Sequence, residues 1–137
     1  MTVVVGYLAT AEGRQGLASA VTEAGRRSTD LVVVVSEKSS SPSQEVLDQR
    51  AADMAGLEEQ AGAAGVSIDV RVLDERHDVA DDLIAVAEEV RADVIVIGLR
   101  RRSPVGKLIL GSNAQRILLE SPCPVLAVKP QRQGAAQ

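Results

Sequence analysis

Residues 98–112 read Gly-Leu-Arg-Arg-Arg-Ser-Pro-Val-Gly-Lys-Leu-Ile-Leu-Gly-Ser, and their side chains suit the binding of an anion. From Val94 to Leu119 the chain carries five basic residues, Arg100, Arg101, Arg102, Lys107 and Arg116, and no acidic one. That stretch holds +5, so with a total of -4 at pH 7 the rest of the chain holds -9. Gly111-Ser112 stands ahead of a helical pattern, and a helix N-terminus offers unpaired N–H groups and the positive end of a dipole. Gly111 permits close backbone approach to a ligand, while Ser112 either caps the helix or gives its hydroxyl to a phosphate oxygen. The competing reading is a solvated turn followed by an ordinary cap, and charge and capping alone weigh the two evenly.

Two standard phosphate patterns are absent. A Walker A loop is approached at Gly106-Lys107, but Arg101 replaces its first glycine and Leu108 its hydroxyl residue. Gly6 and Gly13 stand too far apart for a dinucleotide fingerprint. Catalytic sets are missing too. His77, the only histidine, sits at the head of a helix between Arg76 and Asp78 and reads as a capping or solvated residue. Asp74, Glu75, Asp78, Asp81 and Asp82 complement a helix dipole there better than they make a metal site. The basic loop holds no carboxylate to bind magnesium or orient a nucleophile, so efficient phosphoryl transfer is not expected.

Composition narrows the partners. With 137 residues, 45% hydrophobic and 25% charged, the chain suits one globular domain over residues 1–130 with a polar tail at 131–137. Tyr7 is its only aromatic residue, which removes the platforms on which nucleic-acid bases stack, and the acidic balance disfavours phosphate-backbone binding. No nucleic-acid partner is expected. Cys123, the only cysteine, excludes an intrachain disulfide and reads as a small packed residue. The N-terminus lacks a basic signal region, and the longest apolar run, from Val94 to Leu99, falls far short of the ~20 residues that span a bilayer. A cytoplasmic protein without membrane contact is the expectation.

The elements that must hold the loop alternate. Continuous apolar runs at Val3–Tyr7, Leu31–Val35, Val94–Ile97 and Val125–Val128 read as strands buried on both faces. Val66–Leu73 alternates with Ser67, Asp69 and Arg71 and reads as an edge strand. Between them, Leu17, Ala20, Val21 and Ala24 form a helical stripe behind the cap Thr10. Val46, Leu47, Met54, Leu57 and Ala61 form a second stripe, entered from a mobile loop at Ser39–Ser43. Val79, Leu83, Ile84, Val86, Ala87 and Val90 follow the cap Asp78, and a last helix over Asn113–Glu120 turns Ile117 and Leu118 inward. This order predicts an open, doubly wound, five-stranded parallel α/β sheet with helices on both faces. The 13 residues from Leu99 to Gly111 exceed the usual 2–6 residue connection, which makes this loop the site candidate.

Gly98-x2-Arg101-x9-Gly111-Ser112 resembles the glycine signature of the universal stress proteins, and Pro122–Val128 resembles that family's last strand. The resemblance implies strand order 3-2-1-4-5, a regulatory stress-response role without efficient catalysis, and a homodimer paired through residues 124–128. It also implies an adenine nucleotide, ATP or AMP, with any magnesium carried on its phosphates. Carried over, Gly98, Gly111, Ser112 and Asn113 face ribose and phosphates, with Arg100 and Arg101 beside them. Val35 and Ser36 lie along the base, and Gly6, Tyr7 and Leu8 form the opposite wall. Two departures stand out: Leu8 replaces the acidic residue usual after the first strand, and Arg101 replaces the second glycine. Arg101 either blocks close approach or clamps a phosphate. A dimeric interaction module that does not bind nucleotide is therefore the alternative.

Overall fold

Branched apolar residues set the strands. Val3, Val4 and Val5 are buried in β1 (Thr2–Gly6), as are Leu31 to Val35 in β2 (Asp30–Ser36). Both strands therefore have a covering layer on each face. The computed structural model describes residues 2–37, 41–73, 78–99 and 110–129. Next come α1 (Ala11–Arg27), α2 (Gln44–Ala64), β3 (Ile68–Leu73), α3 (Val79–Val90), β4 (Val94–Gly98), α4 (Ser112–Glu120) and β5 (Val125–Val128). The five strands form one parallel sheet in the order β3-β2-β1-β4-β5.

Strand alternation divides the core into two layers. Val3, Val5, Leu31 and Val33 meet Leu17, Ala20, Val21 and Leu57 of α1 and α2. Val4, Val32, Val34 and Ile95 meet Leu83, Val86, Ala87 and Ile117 of α3 and α4. Thr10, Ser43 and Asp78 cap their helices by accepting from the backbone N–H three residues on.

The margins of the sheet depart from the sequence expectations. In α2, Leu57 and Ala61 are buried while Val46 and Leu47 are exposed, because the helix packs on α1. Val70 and Val72 of β3 are also exposed; the strand lies at the sheet edge beyond α1 and α2. Arg71, expected in solvent, pairs with Asp69 and reaches Glu89 of α3. β5 is the other edge, so Leu126 is 39% exposed rather than covered on both faces. Ile117 turns inward as expected, whereas Leu118 does not.

Candidate functional site at the sheet's switch point

The order β2-β1-β4 means that the chain leaves β1 in one direction and returns on its other side at β4. Helices on opposite faces then part at the carboxyl ends of β1 and β4 and leave a crevice, the usual ligand site of such sheets. Here it is an open cavity of about 270 Å³, close to the lower limit of roughly 300 Å³ for small-molecule pockets. Gly6 and Leu8 form one wall, Gly98 and Leu99 another, with Val79 and Leu83 of α3 below and the first turn of α4 above. Position 6 is closely packed: a Cβ there would stand 3.0 Å from Leu83 Cδ1, so the leucine would have to shift by a few tenths of an ångström.

Two glycines press α1 against this rim. A Cβ on Gly98 would lie 2.5 Å from the Glu12 carbonyl oxygen, and one on Gly13 would overlap the carbonyl of Leu8. Gly98 therefore serves backbone packing whatever else it touches. Gly13 was missed as a site-forming residue, although Gly13, Gly16, Leu17 and Ala20 share a stripe at helical spacing that could have revealed it.

The start of α4 differs from the other helix starts. Its N-cap is Gly111, in extended conformation and without a side-chain bond, so Ser112 lies inside the helix and does not cap it. By contrast, the caps of α1, α2 and α3 hold N–H groups at 3.0, 3.2 and 2.9 Å. The first N–H groups of α4 have no partner within the helix, and Gly111, Ser112, Asn113 and Ala114 all line the crevice. The turn is thus arranged to accept an anion.

Residues 1–129 match the model of the universal stress protein family. The chain belongs to that family. It is 39% identical over 131 residues to a universal stress protein of Mycolicibacterium smegmatis, covering 93% of this chain and 97% of that one. A universal stress protein solved in complex with cAMP superposes with a TM-score of 0.73 at 25% identity, covering 96% of this chain and 98% of that one. The Archaeoglobus fulgidus universal stress protein in complex with dAMP gives 0.72 at 26% identity, covering 94% and 98%.

In this universal stress protein the crevice brings together Gly6, Leu8, Gly98, Gly111, Ser112 and Asn113. It does not bring in Tyr7. That side chain turns to the α1–α2 layer, where its hydroxyl donates to Asp53 at 2.7 Å. Burial, then the hydrogen bond to Asp53 and that carboxylate's charge, push the phenol up to about 12. Val35 is buried in β2, and by strand alternation it shares the face of Leu31 and Val33. Ser36, one residue on, faces the α3 side and donates to Asp82 at 2.6 Å. Asp82 is the only charged side chain in the buried class among the described residues.

Arg116 does not belong to an open basic surface. It bonds Asp78 at 2.9 Å, Glu120 at 3.3 Å and also Asp81, tying α4 to the start of α3. These bonds hold its guanidinium well above its usual range and, with the Asp81 backbone N–H as the larger cause, hold Asp78 below the usual carboxylate range. Arg100, Arg101, Arg102, Lys107 and His77 lie outside the described residues, as does the loop at 38–40. Among the described residues no cluster of His, Cys, Asp or Glu could hold a metal, and no helix is long and apolar enough to cross a membrane.

Proposed function

We propose that this chain is a cytoplasmic stress-response module that binds an adenine nucleotide, ATP or AMP, in the switch-point crevice and uses occupancy rather than chemistry. The observation that carries the reading is the start of α4, whose N–H groups open on the crevice behind a cap with no side-chain bond. A phosphate there would be held by backbone donors and the helix dipole. The cAMP and dAMP complexes of the two similar structures support the same ligand class. In this reading Gly98, Gly111, Ser112 and Asn113 face ribose and phosphates, Gly6 and Leu8 wall the base, and Ser36 lies at its far edge. Arg100 and Arg101 supply charge, and magnesium arrives on the phosphates. Residues 1–130 act as one domain, pairing with a second copy through β5.

Calorimetric titration with ATP and AMP, with and without magnesium, tests the ligand. Saturable heat at micromolar to millimolar nucleotide is expected, and silence at millimolar concentration together with no thermal shift would sink the reading. The interaction module without nucleotide draws on one observation: Leu8 presents a 43% exposed apolar side chain to the crevice and can accept no ribose hydroxyl. That reading predicts the silent titration.

A further inference from the structure

One edge of the sheet lacks the usual guards against pairing. Edge strands are commonly protected by lysine, proline or a bulge. β3 reads Ile-Asp-Val-Arg-Val-Leu and pairs with β2 without interruption from Ile68 to Leu73, so it has none of the three. Two bonds set the direction of its backbone groups: the Leu31 N–H donates to the Ser67 carbonyl at 2.9 Å, and the Glu37 N–H to the Leu73 carbonyl at 2.7 Å. Odd-numbered residues therefore turn their N–H and C=O groups to β2, and Ile68, Val70 and Val72 turn theirs outward. Among the described residues no strand lies beyond them. Val70 is 37% and Val72 52% exposed, an apolar stripe that continues the face of Ile68.

The charges on this strand choose what can pair with it. Asp69 and Arg71 point to the opposite face, the side of α3, where Arg71 bonds Asp69 at 3.0 Å and Glu89 at 2.8 Å. In an antiparallel pairing with a second copy, outward-facing residues must meet outward-facing residues, which restricts the two-fold axis to a few positions. An axis at Val70 sets Val70 against the partner's Val70 and Ile68 against the partner's Val72, and each such pair exchanges two backbone bonds. The same axis sets Asp69 opposite the partner's Arg71, in a close pair of the kind whose Cβ atoms stand about 4.5–5.5 Å apart. The charges then alternate in sign around the axis. Moving the axis by one residue is penalised either way: at Asp69 it opposes two aspartates, and at Arg71 two arginines.

We infer that the β3 edge is a self-complementary surface that pairs two copies of this chain antiparallel about Val70 into one continuous sheet. The charge pattern carries it: of the registers that the backbone allows, this one alone opposes Asp69 to Arg71. The surface shares no residue with β5 and does not depend on nucleotide. A single strand edge is a small interface, so the pairing is weak, with dissociation at roughly 0.1–1 mM.

The test is sedimentation, at about 0.5 mM, of chains that all carry Leu126→Lys, which keeps the β5 edge out of the measurement. The dimer fraction should rise with concentration. Asp69→Arg and Arg71→Asp each oppose like charges across the axis and should each weaken association about tenfold or more. Mixed in equal amounts, these two chains should recover the dimer, because a positive strand then faces a negative one. Recovery separates pairing between copies from the Asp69–Arg71 bond within a chain, which both variants lack alone and mixed. Val70→Pro should abolish the dimer and leave the fold intact, since the N–H it removes points outward and serves no bond within the sheet. Monomer throughout for the Leu126→Lys protein, association unchanged by both reversals, no dimer in the mixture, or a dimer that survives Val70→Pro overturns the inference. Should one reversal fail to fold, Val70→Pro and the concentration series decide.

Discussion

Tyr7 shows how one strand position serves two compartments. Its backbone continues β1 toward the crevice, while its ring crosses to the other layer and binds Asp53, which also accepts from Gln49 and lies 3.7 Å from Arg14. A phenol held at about 12 against an ordinary 10.0 favours the folded state in its protonated form. That contribution is complete below pH 10 and disappears as pH climbs through about 12, because the unfolded chain ionises first. Urea denaturation should accordingly show unmodified protein losing stability between these pH values faster than Tyr7→Phe; parallel curves would remove the bond's role. The ring's direction follows from parity along β1, since Val3, Val5 and Tyr7 share one face. That parity is legible in the sequence, whereas resemblance to a family carries position along the strand and not facing. Ser36 was placed by resemblance alone, and its fixed hydroxyl needs Asp82, a distant partner that no local pattern announces.

At the level of elements, the approach of α1 to β4 sets the rim. Replacing a helical glycine by alanine ordinarily stabilises by roughly 1 kcal/mol through propensity. Gly13→Ala should do the reverse, because its methyl group meets the Leu8 carbonyl, and Gly98→Ala should follow because its methyl meets Glu12. Denaturant midpoints measured without nucleotide check both. Unchanged midpoints would mean that the rim yields easily and that Gly98 is reserved for the ligand. The central strands were legible as branched apolar runs because a strand covered on both faces needs no alternation. Exposure at β3, β5 and the first turns of α2 was not, since it depends on which strand ends up at an edge. The paired role of Arg116 was likewise hidden: counted with the basic stretch, it is neutralised by carboxylates on α3 and its own helix.

For the whole molecule, the proposed pairing of two copies would bury an edge that otherwise presents unpaired backbone groups beside Leu126. Leu126→Lys should then shift sedimentation from a dimer toward the 14.4 kDa monomer. If the unmodified protein already sediments as a monomer at micromolar concentration, β5 is not an interface. The lone phenol has an optical consequence as well. With no tryptophan and one tyrosine, the protein barely absorbs at 280 nm, whereas adenine absorbs strongly near 260 nm. Nucleotide retained through purification would therefore dominate the ultraviolet spectrum of the pure protein. Emission comes from a single ring one residue beyond Gly6, and a carboxylate accepting from an excited phenol quenches it. Any movement of β1 that loosens Tyr7 from Asp53 would be read as brightening, a built-in fluorescent report from the rim of the crevice.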